Sequence, residues 1–523
     1  MIFLWLALLS IFTYLAIQKS VSNITQTPVW LLWGVMMLPL LLLVVLAVLG
    51  DRLPIPSLPL LAGSFILCSV AYWMLIWVGR RSQSSSPPSS SPPSSSPPSS
   101  SSPSPSLPSA NTSDDTPLTS TPPVSEMTLP VNDNPMDRDD EDALKRCFPW
   151  SVYYLKGIER RPHVLICTGH LRTSSDVAYR TIRDNIEKQF GQRFLIIFQE
   201  GLNGKPFFAL VPNSQIAHLN QQQTLFHPMI AFGLFIATLC TTTLAGMALA
   251  GVSAEEIFPL NLPSIAKGIP YCVAITLILT VYHLSQYIIA KRNQIKASLP
   301  YFIPVPPVVL GFPFGTFGAF LQVRSPMPNR KVLFDMGFVG PVVGALMTFP
   351  ILLWGLSHST LIASPEESGL FNIASFDPKA SLLIALLSKL ALPELTLNAA
   401  VELHPVAIAG CLGILIATIN LMPVGQLNGG KIVHAMFGQR TGALIGQVAR
   451  ILVLLLAYVH REQQEFWILP ILLFFMPSVD EPALNDVSEL DNRRDFLGLA
   501  ALALLVSIIL PAPPALTHLL FGA

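Results

Sequence analysis

Long apolar runs separated by two polar islands set the plan of this chain. A helix that crosses a bilayer needs about 20 mostly apolar residues. Three such runs come first, at 2–17, 29–50 and 58–79. A second series lies at 226–250, 268–290, 338–357, 404–424, 442–458, 465–476 and 495–516, with a half-length run at 381–392. The pattern predicts a polytopic α-helical membrane protein. The first run is apolar from Met1, with no basic leader and no small-residue cleavage site, so it reads as a retained helix.

The first polar island is low in complexity. Residues 82–109 alternate Ser and Pro blocks, and an acidic stretch, NDNPMDRDDEDALKR, follows. Such a composition cannot bury a core, so 81–144 reads as a disordered linker. The second island, 145–222, is patterned as a small soluble α/β module. HVLICTGHL, RFLIIFQE and KPFFALVP have the β-branched and aromatic content of strands. Between the first two, Ala178, Ile182, Ile186 and Phe190 fall on one helical stripe, with Ser174 or Ser175 to cap it and Gly191 to end it. His163 and His170 have no third ligand at a recognisable spacing and read as surface or satisfied histidines rather than ligands. The expected organisation is N-terminal transmembrane helices at 1–80, the linker at 81–144, the module at 145–222, a membrane core at 223–480, and a C-terminal loop and transmembrane helix at 481–523.

Composition excludes several classes. Hydrophobic residues make up 51% of the 523 and charged residues only 12%, against about 25% charged in soluble domains. Lys+Arg and Asp+Glu are equal at 31 each, so the basic excess of a nucleic-acid binder is absent. Six cysteines (Cys68, Cys147, Cys167, Cys240, Cys272 and Cys411) are scattered without a C-x-x-C pair. That argues against a disulfide framework or a thiolate zinc site. Lys19, Arg80, Arg81, Lys291, Arg292, Lys296, Arg330, Lys331, Lys431 and Arg440 fall on one side if every run spans. By the positive-inside rule this side, and the soluble module with it, is cytoplasmic, and the N-terminus lies outside.

Candidate chemistry sits where lipid would favour leucine. Tyr282 and Gln286 share a helix face near the inner end of one run, with His283 beside them. The run from His404 breaks between Asn420 and Pro423 and continues into Asn428-Gly429-Gly430. With both helices running inward, Gln286 and Asn428 reach the same depth. A break at that depth is tolerated only where it is buried in protein or lines a wet cavity. GTFGAFLQVRSPMPNRKVLFDMGFVGP, at 315–341, suits a hairpin or re-entrant element more than a spanning helix. On residue types alone, the cluster is either a functional site or hydrogen-bonding glue between helices.

These strings, together with SLPYFIPVP, LHPVAIAGCLG, NLMPVGQLNGG and FQEGLNGKPFFALVP, resemble the site-2 protease family of intramembrane zinc metalloproteases. The likeness is to its cyanobacterial and plastid branch, the ethylene-dependent gravitropism-deficient and yellow-green proteins, and covers roughly 145–480. The resemblance implies a site-2-protease-like core with a small cytoplasmic α/β domain. In that family the helix before SLPYFIP carries H-E-x-x-H, and a later motif reads N-x-x-P-x-x-x-L-D-G. Two His and the Asp hold zinc, and the Glu acts as general base on zinc-bound water. Counting back from Ser298 sets Tyr282 at the first His, His283 at the general base, Gln286 at the second His and Asn428 at the Asp. All four differ from the family's residues. The resemblance further implies that Gly315, Thr316, Phe317, Gly318, Asn420, Pro423, Gly429 and Gly430 either hold an unwound substrate helix or serve only the fold.

A phenol with a reference pKa of about 10 and two neutral amides are poor zinc donors. His283 has no second His at i+4, and His404 and His434 are too far along the chain to be assigned to the same site. No cofactor is expected; Tyr282, Gln286 and Asn428 are expected to hydrogen-bond one another. The favoured reading is a proteolytically inactive homologue in a plasma or thylakoid membrane. Its expected partners are transmembrane segments of other membrane proteins, or an active family member that it regulates. One alternative is an active intramembrane zinc metalloendopeptidase with an unorthodox site. Another is a membrane carrier or small-molecule binder, although the outer loops at 251–267 and 359–380 show no substrate motif.

Overall fold

Helix α1 (Arg138–Arg146) forms inside the stretch that composition assigns to the linker. Ala143, Leu144, Cys147 and Phe148 are buried beneath it, while Asp142 and Lys145 face water. The acidic run is therefore one side of an amphipathic helix, and the linker boundary at 144 is corrected to lie before residue 138. The computed structural model describes residues 138–522 except 162–163, 202–203, 214–227, 253–261, 308–312, 364–375, 398 and 461–463. Before 138 it describes only Tyr14, residues 30–35, Met37, Leu38, Cys68, Ala71 and Met74. The three N-terminal runs as a whole, the Ser/Pro tract and His163 lie outside the described residues. The chain divides into two compact units, 1–35 with 70–136 and 36–69 with 137–523. In the first, the Tyr14 and Trp33 rings meet edge-on, with centroids 6.1 Å apart.

The second unit holds the module and the membrane core. Strands β1 (Tyr153–Arg161), β2 (Val164–Leu171), β3 (Phe194–Glu200) and β4 (Pro206–Pro212) form an antiparallel sheet in the order β1-β2-β4-β3. Helix α2 (Ser175–Phe190) buries Ala178, Tyr179, Ile182 and Ile186 and ends at Gly191, with φ +61°. Phe190, the last of the expected stripe, stays half-buried. Strand β1 has no counterpart in the sequence reading, because YYLKGIERR lacks apolar alternation. It is an edge strand with a bulge between Leu155 and Gly157. The opposite edge, β3, is covered. The Phe198 N–H donates to Leu484 O at 2.7 Å, and the Asp486 N–H donates to Phe198 O at 2.9 Å.

The core contains helices α3 (Pro228–Leu249), α4 (Leu262–Arg292), α5 (Arg330–Ser357), α6 (Leu382–Ala391), α7 (Pro405–Leu421), α8 (Asn428–Phe437), α9 (Gln439–Val459), α10 (Ile468–Phe475), α11 (Asn492–Ile509) and α12 (Pro514–Phe521). Among the described residues, α3, α4, α5 and α9 are long and apolar enough to cross a membrane, and α11 with α12, bent by 77°, makes a fifth if counted as one span. This is a polytopic helical membrane protein. Helix α4, with 31 residues, is about 46 Å long and exceeds the ~30 Å hydrocarbon core. The run at 465–476 does not cross by itself, since α10 has eight residues.

The segment at 315–341 divides. Its first half pairs as a hairpin, β5 (Tyr301–Pro304) with β6 (Thr316–Phe320). Its second half is not re-entrant but opens the 28-residue α5. Asn329, closing the Ser-Pro-x-Pro-Asn turn, accepts the Val332 N–H at 2.9 Å and starts that helix. Helix α5 then packs against α4, α7 and α8.

Candidate functional site

Three pieces of chain converge in the C-terminal half of α4. Tyr282, His283, Gln286 and Asn428 are all buried. The Asn428 side-chain amide donates to Tyr282 Oη at 2.6 Å, so α4 and the first residue of α8 meet directly. Gln286 takes no part in that pair. Its Nε2 donates to Met336 O on α5 at 3.4 Å, which corrects the expectation that all three polar side chains bond one another. The His283 ring tilts against Tyr282, with centroids 4.7 Å apart. Its Nδ1 is buried without a hydrogen-bond partner among the described residues.

Two glycines of α5 make room for the cluster. A Cβ at Gly344 would come within 2.7 Å of Tyr282 Cδ2, and one at Gly340 within 2.7 Å of the Gln286 side chain. Sequence reasoning missed both. The signal was present as Gly-Pro-Val-Val-Gly, a small-x-x-x-small spacing that lets membrane helices approach closely.

The residues assigned to substrate binding separate into two groups. Gly315 and Gly318 adopt φ of +75° and +101° in the hairpin turn and strand. Thr316 Oγ1 donates to Ile303 O at 2.9 Å and accepts the Gly318 N–H at 3.0 Å. Phe317 is half-exposed, and Gly318 sits beside Leu279, one turn before His283. The hairpin thus lies over the α4 end of the cluster. Asn420, by contrast, bonds within its own helix, donating to Ile416 O at 2.9 Å. Helix α7 ends after Leu421, next to Pro423, and α8 doubles back so closely that any Cβ at Gly429 would strike the Leu421 carbonyl. Gly430 lies against the Gly425 carbonyl in the same bend.

Zinc does not fit this donor set. Two zinc ligands at about 2.0 Å in a tetrahedron stand about 3.3 Å apart, wider than the direct Tyr282–Asn428 bond. The amides are weak neutral donors, and the phenol must first lose its proton. Among the described residues, no three His, Cys, Asp or Glu side chains converge on a metal position.

A second buried polar group joins the core to the module. His434, left unassigned by sequence reasoning, lies between two carboxylates. Its Nε2 is 3.0 Å from Asp486 Oδ1, and its Nδ1 is 3.4 Å from Asp480 Oδ2. Arg330 Nε donates to the same Asp486 oxygen at 3.1 Å. No local spacing signals this group, because its members are brought together from α5, α8 and the loop after α10.

Residues 270–459, from α4 to α9, match peptidase family M50. Over that stretch the chain is similar to the site-2 protease family. Its relatives include the probable zinc metalloprotease EGY1, chloroplastic, of Arabidopsis thaliana, 32% identical over 48% of this chain and 44% of that protein. The probable zinc metalloprotease EGY2, chloroplastic, of the same plant is 25% identical over 75% of this chain and 68% of that protein. The probable zinc metallopeptidase EGY3, chloroplastic, again of Arabidopsis thaliana, is 25% identical over 60% of this chain and 55% of that protein. The match thus spans about half the length of EGY1. No solved structure matches the chain.

Within this site-2 protease relative, Tyr282→Phe is expected to leave the Asn428 amide buried and unpaired. The cost is about 1–3 kcal/mol, read as a lower unfolding temperature in detergent. Adding Asn428→Leu is expected to recover part of the loss. Equal stability of Tyr282→Phe and the parent would show that the bond carries no weight.

Proposed function

We propose that this site-2 protease homologue does not cleave peptide bonds, but holds transmembrane segments of other membrane proteins or regulates an active relative. The observation that carries the reading is the Asn428–Tyr282 hydrogen bond. It joins, side chain to side chain, two positions at which the alignment from Ser298 expects metal ligands. Protease chemistry in the family needs a metal-activated water and a carboxylate base. Here the base position carries His283, packed on Tyr282. The hairpin supports client binding, because Phe317 and Phe320 remain half-exposed beside the cluster. In this reading the module faces the cytoplasmic side of a plasma or thylakoid membrane, alongside the positively charged inner ends of α4 and α5.

The test uses the full chain in lipid nanodiscs, supplied with zinc and with single-span transmembrane peptides. The expected result is substoichiometric zinc by elemental mass spectrometry and no peptide cleavage. Site-specific cleavage that disappears in His283→Ala would overturn the reading and favour an active protease with an unorthodox site.

A further inference from the structure

Helix α7 packs on one face and leaves another partly open. Gly410 and Gly413 lie against Leu352 and Thr348 of α5, the side that leads to the polar cluster. On another side, Cys411, Leu412 and Leu415 border a cavity of about 140 Å³. Its far wall includes Val453 and Leu456 of α9 and Ile508 of α11. Along α7 the lining runs from Ile408 to Thr418, about 15 Å at 1.5 Å per residue.

The cavity is lined almost wholly by apolar groups and gives water few partners. The two hydroxyl groups on its wall each have a bond within the protein: Ser381 accepts the Ile384 N–H at 3.4 Å, and Thr418 donates to Ile414 O at 2.7 Å. A water needs two to four polar partners, whereas a dry cavity of about 150 Å³ lined by Leu, Ile and Phe takes a benzene-sized apolar guest. Left empty, its lining forfeits dispersion contacts. A transmembrane helix is excluded as the guest, because a helix with side chains is about 10–12 Å across. The adjacent medium supplies one that fits. Helix α9 is long and apolar enough to cross a membrane, and Ile451, Leu452 and Leu455 on its other faces are exposed. One helix therefore separates the cavity from lipid tails.

We propose that this cavity is a binding site for the terminal part of one acyl chain of a membrane lipid, entering beside α9. The guest is a hydrocarbon segment of about six carbons, matching a benzene-sized volume. It sits against the side of α7 turned away from α5. The site is independent of whether the polar cluster binds a metal.

The protein is reconstituted in nanodiscs of phosphatidylcholine carrying a diazirine at the end of one acyl chain, irradiated, and mapped by peptide mass spectrometry. Labels are expected on Cys411, Leu412 or Leu415 as well as on lipid-facing Ile451 and Leu455. Cys411→Phe with Leu415→Phe, which fills the cavity, is expected to cut the α7 label at least fivefold and leave the α9 label unchanged. Leu415→Ala, which enlarges it, is expected to raise the α7 label and covers the case in which the filled variant fails to fold. Labels confined to outward-facing residues of the native protein would overturn the proposal. An α7 label indifferent to both variants would do the same.

Discussion

Replacing His434 with alanine is expected to release the α/β module from the membrane core. The imidazole bridges Asp480 and Asp486, and Asp486 also holds Arg330 at the start of α5. The backbone around Asp486 carries the attachment. Leu484, Asn485 and Asp486 bridge Phe198 of β3 to the turn at Met327 and Pro328, and Asn485 reaches Asp176 of α2 at 3.2 Å. Removing one partner of a buried ion pair strands the other and costs about 3–5 kcal/mol, a factor of about 100 or more. Hydrogen exchange at Phe198 and Asp486 is expected to quicken by that factor in His434→Ala and in Asp486→Asn. Asp480→Asn, at the longer 3.4 Å contact, is expected to have the smaller effect. Unchanged exchange in all three would remove His434 from the attachment.

The same group makes the attachment sensitive to pH. Burial alone would lower the His434 pKa, but hydrogen bonds to Asp480 and Asp486 and their charges overcome it and raise it to about 9. A group that binds its proton more tightly when folded stabilises most below its ordinary pKa, about 6.5. That contribution is lost as pH rises through about 9. Protection of Phe198 is therefore expected to be full near pH 6 and to fall between about pH 7 and 10. The slope is expected to vanish in His434→Ala. A native profile flat over that range would contradict the assignment.

The second large effect concerns the polar cluster. Tyr282→His, Gln286→His and Asn428→Asp together restore the family's three ligand types, and His283→Glu its general base, at the positions assigned from the motifs. The restored chain is expected to hold about one zinc and to melt at a temperature that falls on chelation. Structural zinc contributes about 10–16 kcal/mol in small metal-folded domains, so even a fraction of that is measurable. Gly340 and Gly344 leave space beside residues 286 and 282, so the larger imidazole at 286 meets no side chain from α5 at those positions. Failure of the restored chain to take zinc would show that the α4–α8 geometry has moved beyond metal reach, or that the alignment is misplaced.

Much of the membrane plan was legible because hydrophobicity and length are local properties. The runs at 226–250, 268–290 and 442–458 reappear as α3, α4 and α9, since a backbone in lipid must satisfy its hydrogen bonds within a helix. Local signals failed where the deciding partner is remote. The acidic run at 138–142 reads as linker until Leu144 finds a core. Strand β1 reads as nothing until β2 pairs with it.

The candidate site divides in the same way. The unusual residue types were visible at 282, 283, 286 and 428, as was the break after α7, because each departs from what lipid favours. Their partners were not: Asn428 chooses Tyr282, while Gln286 turns to a backbone carbonyl of α5. The His434 group draws on positions 330, 434, 480 and 486, separated by up to 156 residues. The sequence by itself determined the membrane class, most of the long apolar helices and the polar residues among them. Tertiary structure alone decided which of those residues meet and how the module is fastened, because hydrogen bonds and close packing depend on distances that only the folded chain sets.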